Sequence, residues 1–145
     1  MKRANVIIIL SLSLVALSIA LMWLPTGVAM RFTSDPGPPM EYVTHYCPYI
    51  SGLPIGYGNW FPIITAMISF TVLFMLIPNV ARKTVCEGGS KTALLVCLSI
   101  CIIASFVSWG LFGSVSVTGV IICTLHCAVF ALQFVHTEKI AENPD

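Results

Sequence analysis

The sequence predicts an all-α membrane protein, a bundle of four transmembrane helices, from three observations. Apolar residues make up 57% of the 145 residues and charged residues only 9%, whereas an average soluble domain carries about 25% charged residues. Four runs of 18 or 19 residues contain no Asp, Glu, Lys or Arg, and a helix needs about 20 apolar residues to cross a bilayer. In hydrocarbon each run must be helical, because a helix satisfies its own backbone hydrogen bonds.

The four predicted spans cover residues 6–24, 60–77, 92–109 and 117–135, within a single membrane domain of residues 1–145. Pro25 follows the first span, Pro62 lies in the opening turn of the second, and Pro78 is predicted to end it. Gly110 and Gly113 separate the third span from the fourth. This short connection predicts that the last two spans are antiparallel neighbours.

The basic residues predict an orientation. Six lie on one side of the spans, and Arg31 alone lies on the other. Because cytoplasmic loops are enriched in Lys and Arg, both termini are predicted to lie in the cytoplasm. The chain is then a multi-pass protein of the cell membrane, with an outer loop at 31–59, a cytoplasmic loop at 82–91 and a cytoplasmic tail at 136–145. The six basic residues are Lys2, Arg3, Arg82, Lys83, Lys91 and Lys139.

The start of the chain also looks like a secretory signal, since two basic residues precede an apolar run. A signal has an apolar core of about 7–15 residues, and this run has 19. An uncleaved first span is therefore the favoured interpretation.

The outer loop is rich in proline and glycine. Pro39 is predicted to begin a short helix that runs to Cys47, because proline suits the first helical position. Two interpretations of its aromatic residues stay open. The favoured one is an interfacial helix whose rings rest on lipid headgroups or cap the bundle; the other is a recognition surface for an external ligand. The residues concerned are Tyr42, His45, Tyr46 and Tyr49, at three- and four-residue spacing.

The segment LPIGYGNWFP at residues 53–62 stands just before the second span. Its pattern resembles that of small, uncharacterised four-span membrane proteins of Gram-positive bacteria. The Met-Lys-Arg start, the first span and the proline-rich outer loop are similar too, so the resemblance covers the first half of the chain. It implies the four-span fold and no activity. Within this segment, Asn59 is predicted to cap the second span through its side-chain oxygen.

Cysteines and one histidine in the last two spans suggest a metal or redox site. Cys123, His126 and Cys127 share an arc of about 100° on one helix. If the two spans are antiparallel, Cys101 and Cys127 reach similar depths near the middle of the membrane. Thiolates and imidazole are ligands for zinc or copper. The candidate ligands are Cys97, Cys101, Cys123, His126 and Cys127.

The same cysteines also belong to two stripes of small residues with a four-residue repeat, and this favours packing. Such stripes let two helices approach closely in lipid, and free cysteine behaves there as a small apolar residue. Trp109 is expected to lie over Gly119. No cofactor or metal is therefore predicted. The predicted seam comprises Ala93, Cys97, Cys101 and Ser105 in the third span, and Gly119, Cys123, Cys127 and Ala131 in the fourth.

The sequence favours a non-enzymatic accessory or interaction component of the membrane, with no catalytic residues. The spans contain no carboxylate, no Cys-x-x-Cys pair and a single histidine. These features exclude small multidrug transporters, quinone-linked thiol oxidoreductases and four-helix b-type cytochromes. The alternative is a small ligand-handling protein, with the metal or redox site above or a lipid or antibiotic site at the outer aromatic layer. The expected partners are the lipid bilayer and other membrane proteins or a second copy, and not nucleic acid, because the net charge is only +1.

Overall fold

A computed structural model describes residues 2–35, 41–51, 58–82, 86 and 88–142. Within these residues the chain forms four α-helices: α1 Lys2–Met22, α2 Phe61–Arg82, α3 Gly88–Phe112 and α4 Val117–Glu142. Two strands, β1 Val28–Asp35 and β2 Glu41–Cys47, lie between α1 and α2. All four helices are long and apolar enough to cross a membrane. This confirms the predicted four-helix, multi-pass membrane class.

The helices pack as a closed ring. α1 contacts α2 and α4, and α3 contacts the same two helices. Asn59, just before α2, bonds to Ser108 near the end of α3, and Thr26, just after α1, bonds to Thr118 in the first turn of α4. Consecutive helices are therefore antiparallel, as predicted for the last two. We call the end that carries the strands the hairpin end, and the opposite end, with Lys2, Arg3, Arg82, Lys91 and Lys139, the basic end.

The outward faces of the helices are apolar. Met67 and Phe74 on α2 are each 67% exposed, and Ile103 and Phe106 on α3 are more than half exposed. A soluble bundle would place charged and polar side chains on such faces. In a bilayer the faces lie against acyl chains, so their apolar character matches the length and hydropathy of the helices.

Two apolar clusters fill the interior. One lies along the bundle axis and contains Val15, Val72, Leu98 and Val129, one from each helix. The other joins the hairpin to the end of the bundle, and it comprises Met22, Val28, Met30, Tyr49, Ala66 and Ile122. The hairpin end is therefore covered by chain that packs onto the helices.

The prediction of a short helix from Pro39 to Cys47 is wrong for residues 41–47, which the structure describes. Residues 41–47 form β2, which pairs antiparallel with β1 from Val28↔Cys47 to Asp35↔Glu41. Residues 42–46 are aromatic or β-branched apart from His45, and such residues favour strands. A helix of nine residues, the length predicted from Pro39 to Cys47, is marginal by itself, whereas every residue of β2 is paired with β1. Pro39 lies outside the described residues.

Pro78 does not end the second span. α2 continues to Arg82, although proline cannot donate a backbone hydrogen bond to the turn before it. The Asn79 side chain donates to the Met75 carbonyl at 2.7 Å and to Cys86 Sγ at 2.9 Å. These bonds hold the last turn of α2 against the segment that leads into α3.

The other helices are also longer than the charge-free runs that predicted them. α3 begins at Gly88, inside the predicted cytoplasmic loop, and passes through Gly110 to Phe112. Gly113 ends it with a φ of 59°, a left-handed conformation that glycine adopts readily. α4 runs on to Glu142, into the predicted tail. A charge-free run measures the hydrocarbon thickness, and a helix can continue beyond it into the headgroup layer.

Candidate functional site

A hydrogen bond between Ser69 and His126 crosses the centre of the bundle. Ser69 lies midway along α2 and His126 lies within α4, and both side chains are fully buried. Ser69 Oγ and His126 Nε2 are 3.0 Å apart. Because α2 and α4 lie diagonally opposite in the ring, this bond spans the axis rather than a groove between neighbours. It is the polar centre of the interior.

Two atoms, the Thr65 carbonyl oxygen and His126 Nε2, lie within hydrogen-bond distance of the Ser69 hydroxyl. Ser69 Oγ lies 2.7 Å from the Thr65 carbonyl oxygen, which can only accept a hydrogen bond. When the single hydroxyl proton is directed to Thr65, His126 donates to Ser69 Oγ through Nε2–H, which requires the tautomer that carries the ring proton on Nε2. In this arrangement His126 does not withdraw the hydroxyl proton, as a general base must to activate a serine nucleophile. We call the Ser69–His126 pair the brace, because it joins α2 to α4.

The other nitrogen of His126 lacks a normal hydrogen bond. Nδ1 has no hydrogen-bond partner among the described residues, and the backbone of Ile122 lies one turn earlier on the same helix. Cys101 lies beside the brace on α3, with its Sγ 3.8 Å from both Ser69 Oγ and the Thr65 carbonyl oxygen. Three helices thus contribute polar atoms to the same buried region.

The five candidate metal ligands differ in where they point. Cys101, Cys123 and His126 are buried, Cys97 is half-buried, and Cys127 is exposed on the outer face of α4. Within the described residues, no three His, Cys, Asp or Glu side chains come together closely enough to hold a metal ion. The partner of His126 Nε2 is the Ser69 hydroxyl. Of the four candidate cysteines, Cys101 and Cys123 therefore lie inside the bundle with His126, whereas Cys127 lies on its outer surface.

The predicted seam of small residues is likewise divided. Cys101 and Ser105 on α3 are buried, as are Gly119 and Cys123 on α4, and Cys123 interacts with Ser105. At 3.6 residues per turn, a four-residue repeat advances about 40° around the helix at each step. A stripe of four such residues therefore winds through about 120° around its helix. If one end of the stripe faces the neighbouring helix, the other end faces the outside of the bundle. The remaining members are half-buried or exposed: Cys97 is half-buried, and Ala93, Cys127 and Ala131 are exposed.

A second buried polar contact joins α1 to α4. Gln133 Nε2 donates to Ser11 Oγ at 2.9 Å, and both side chains are almost fully buried. Neither residue is among the predicted site residues. The position of Gln133 could have been recognised from the sequence, because an uncharged amide within an apolar run needs a hydrogen-bond partner inside the membrane.

The hairpin end is closed by Ser116 and Tyr49. Ser116 Oγ accepts the backbone N–H of Gly119 at 2.9 Å, which caps α4, and it donates to the Gly27 carbonyl. The Tyr49 backbone N–H bonds to the carbonyl of Met22 at 3.0 Å. The cap of α4 and the end of α1 are therefore tied together through the segments on either side of the hairpin.

Two glycines make room for this closure. A Cβ on Gly27 would lie 2.9 Å from Tyr49 Cδ2, and a Cβ on Gly119 would lie 2.9 Å from Ser116 Oγ and 3.1 Å from the Tyr49 hydroxyl. The expectation that Trp109 lies over Gly119 is wrong, because Tyr49 and Ser116 occupy that space. Trp109 instead contacts Phe106, with 5.2 Å between the ring centroids.

The capping role predicted for Asn59 is confirmed, and its side chain does more. Asn59 Oδ1 accepts the backbone N–H of Phe61 at 3.3 Å. Its Nδ2 donates to Ser108 Oγ at 2.8 Å and to Ser114 Oγ at 3.0 Å. One fully buried amide thus joins the start of α2 to the end of α3 and to the turn that follows it.

The aromatic residues at this end fall into two groups. Tyr49 is buried, and burial raises the pKa of its hydroxyl. Tyr46, Trp23 and Trp60 are each more than half exposed, which suits rings that rest at the headgroup level. Tyr42 lies in β2, but its side chain lies outside the described residues. The predicted aromatic layer therefore includes one internal plug and several outward-facing rings.

No known protein family, curated protein or solved structure matches this chain.

Proposed function

We propose that this protein is a non-enzymatic interaction component of the cell membrane, in which the helical bundle anchors and orients the β1–β2 hairpin for contact with another membrane protein. The observation that carries the proposal is the exposure of β2. All four residues 43–46 are exposed, including Val43 at 44% and Tyr46 at 57%. Successive side chains in a strand point to opposite faces. Both faces of β2 are thus open.

The base of the hairpin is firmly held, by contrast. Val28, Ala29 and Met30 at the start of β1 are each no more than 3% exposed, and Tyr49 follows β2 as the internal plug. A two-stranded hairpin is only marginally stable without further packing. This one is fixed at its base to a rigid bundle, and it presents an outer strand. That geometry supports recognition by strand addition or by side-chain contact with a partner.

The interior supports the same proposal. Its polar groups at Ser69, Asn59 and Gln133 are bonded to protein groups on other helices. Such bonds hold transmembrane helices together. Because the interior polar groups bond to one another, we expect other molecules to bind at the outer surfaces of the protein.

Photocrosslinking tests the proposal directly. A photoreactive amino acid replaces Tyr46 on β2, and the matched control replaces Met67, which is exposed on the lipid-facing side of α2. In native membranes we expect a discrete protein adduct from position 46 and only lipid adducts from position 67. An adduct of twice the chain's own mass would identify the partner as a second copy. Lipid adducts alone at both positions would contradict an interaction role for the hairpin.

We further propose that the basic end is cytoplasmic and that the hairpin end faces outward. Five basic residues belong to helices at the basic end, whereas Arg31 is the basic residue in the hairpin. A cysteine test should avoid Cys86, because burial rather than location would protect it. Thr44 and Ser90 are both exposed and make a matched pair.

Thr44→Cys and Ser90→Cys are compared in a chain that carries Cys47→Ser and Cys86→Ser. An impermeant maleimide should label position 44 on intact cells and position 90 only after the membrane is opened. The reverse pattern would show that the orientation is inverted.

A further inference from the structure

The helix surface at the basic end carries a cleft between α1 and α2. The cleft has a volume of about 200 Å³ and is lined by Asn5, Ile8, Ile9 and Val80. Ile8 is 2% exposed and forms the floor, whereas Ile9 is 54% exposed and forms an edge. The cleft therefore opens sideways from the bundle, towards the surrounding membrane.

The lining indicates what occupies the cleft. Three of the four side chains are aliphatic, and water is not a favourable occupant of an apolar cavity. Pockets for whole drug-sized ligands usually have volumes of 300–1,000 Å³, so this cleft suits a part of a longer molecule. An acyl chain supplies apolar groups in a narrow linear shape, and the bilayer provides acyl chains on every side.

Polarity changes along the cleft in the direction expected for a phospholipid. Ile8 and Ile9 lie about one turn deeper than Asn5, given a rise of 1.5 Å per residue. Asn5 places an amide at the shallow end. Lys2 and Arg3 belong to the first turn of α1, beyond Asn5, and Arg82 is the exposed last residue of α2.

The charged residues of the two helices that form the cleft are all basic. Neither α1 nor α2 contains an Asp or Glu, so the basic residues at their adjacent ends are not offset from within these two helices. Basic pockets between transmembrane helices attract anionic lipid headgroups, to which each nearby Lys or Arg contributes measurably. An apolar cleft between two helices whose adjacent ends contain only basic charged residues is complementary to an anionic phospholipid.

We propose that this cleft binds an anionic phospholipid of the surrounding leaflet, with a segment of one acyl chain between α1 and α2 and the phosphate near Arg82. The inference requires the helices to lie in a membrane but is independent of the role proposed for the hairpin. It also does not depend on which leaflet the basic end faces. Crosslinking from position 46 and lipid binding at this cleft can therefore fail separately.

Native mass spectrometry of the full chain in mild detergent tests the proposal. The probes are phosphatidylglycerol and phosphatidylcholine with identical acyl chains. We expect phosphatidylglycerol to bind with a Kd several-fold lower. Arg82→Gln should raise that Kd about fivefold and leave phosphatidylcholine unchanged. Lys91→Gln, at the same end but on α3, is the matched control and should change neither.

The cleft itself is tested by filling it. Val80→Trp should weaken the binding of both lipids, whereas Val80→Ala should retain it. Circular dichroism and thermal unfolding verify that the tryptophan variant folds; if it does not, Ile9→Trp fills the cleft from its exposed edge instead. Equal wild-type affinity for the two lipids would overturn the anionic preference, as would a Kd unchanged by Arg82→Gln. Unchanged binding in the filled cleft would overturn its location.

Discussion

The brace between Ser69 and His126 makes a quantitative prediction about the stability of the bundle. Ser69→Ala removes one interhelical hydrogen bond, and such bonds in membrane proteins average about 0.6 kcal/mol. It also leaves His126 Nε2 buried without its partner, which costs about 1–3 kcal/mol. Alanine recovers up to about 0.7 kcal/mol as the better helix former. We expect a net loss of about 1–3 kcal/mol in the free energy of unfolding.

Reversible unfolding in mixed detergent micelles, followed by circular dichroism, measures this loss. The matched control is Ser13→Ala, because Ser13 also bonds to the backbone four residues earlier but is exposed. It should change stability by less than about 0.5 kcal/mol. Ser69→Ala should also cost far less in a His126→Leu background, since removing both partners of a buried bond is nearly neutral.

The double-mutant cycle decides whether the reasoning holds. A coupling energy of about 1 kcal/mol between Ser69 and His126 would agree with a bond that crosses the bundle axis. A coupling energy indistinguishable from zero, or equal losses for Ser69→Ala and Ser13→Ala, would refute the brace.

Three further predictions concern other parts of the molecule. Burial raises the pKa of the Cys86 thiol above its ordinary value of about 8.5, so the unfolded chain loses this proton first. The free energy of unfolding should then fall as the pH rises above about 8.5, and an unchanged slope in Cys86→Ala would contradict this cause. Gly119→Ala should cost about 1–3 kcal/mol through overpacking, because oxygen atoms lie 2.9 and 3.1 Å from the new Cβ. Gly110→Ala has open space around it and should be neutral or stabilise by up to about 1 kcal/mol; equal thermal shifts for the two would argue against the closure. A fluorophosphonate probe should not label Ser69, whose hydroxyl is buried and already donated; labelling that Ser69→Ala abolishes would contradict a non-enzymatic role.

The helices could be predicted from the sequence because membrane thickness constrains their length. Each charge-free run is about as long as hydrocarbon is thick, and each forms a helix that continues a few residues further. The N-terminal cap at Asn59 was predictable for a similar reason, since its contact with the start of α2 is local. Its bonds to Ser108 and Ser114 were not, because they join residues about 50 positions apart.

The hairpin was mispredicted because its stability comes from pairing between distant residues. Tyrosines at three- and four-residue spacing in residues 42–49 fit a helical period, but aromatic and β-branched residues in the same segment also favour a strand. β1 stabilises the extended conformation of residues 41–47, because it pairs with them and its own first residues pack against the bundle. Local spacing contains no information about that partner.

The sequence by itself determined that the chain has four apolar helices and an asymmetric distribution of basic residues, because both follow from composition along one dimension. Only the tertiary structure decided which side chains face inward. It directed His126 across the axis to Ser69, and it left three of the eight small residues in the two stripes exposed on the outer surface. The physical reason is rotational: every face of these helices is apolar, so hydropathy does not specify the rotation of each helix, and contacts among a few polar side chains and glycines do.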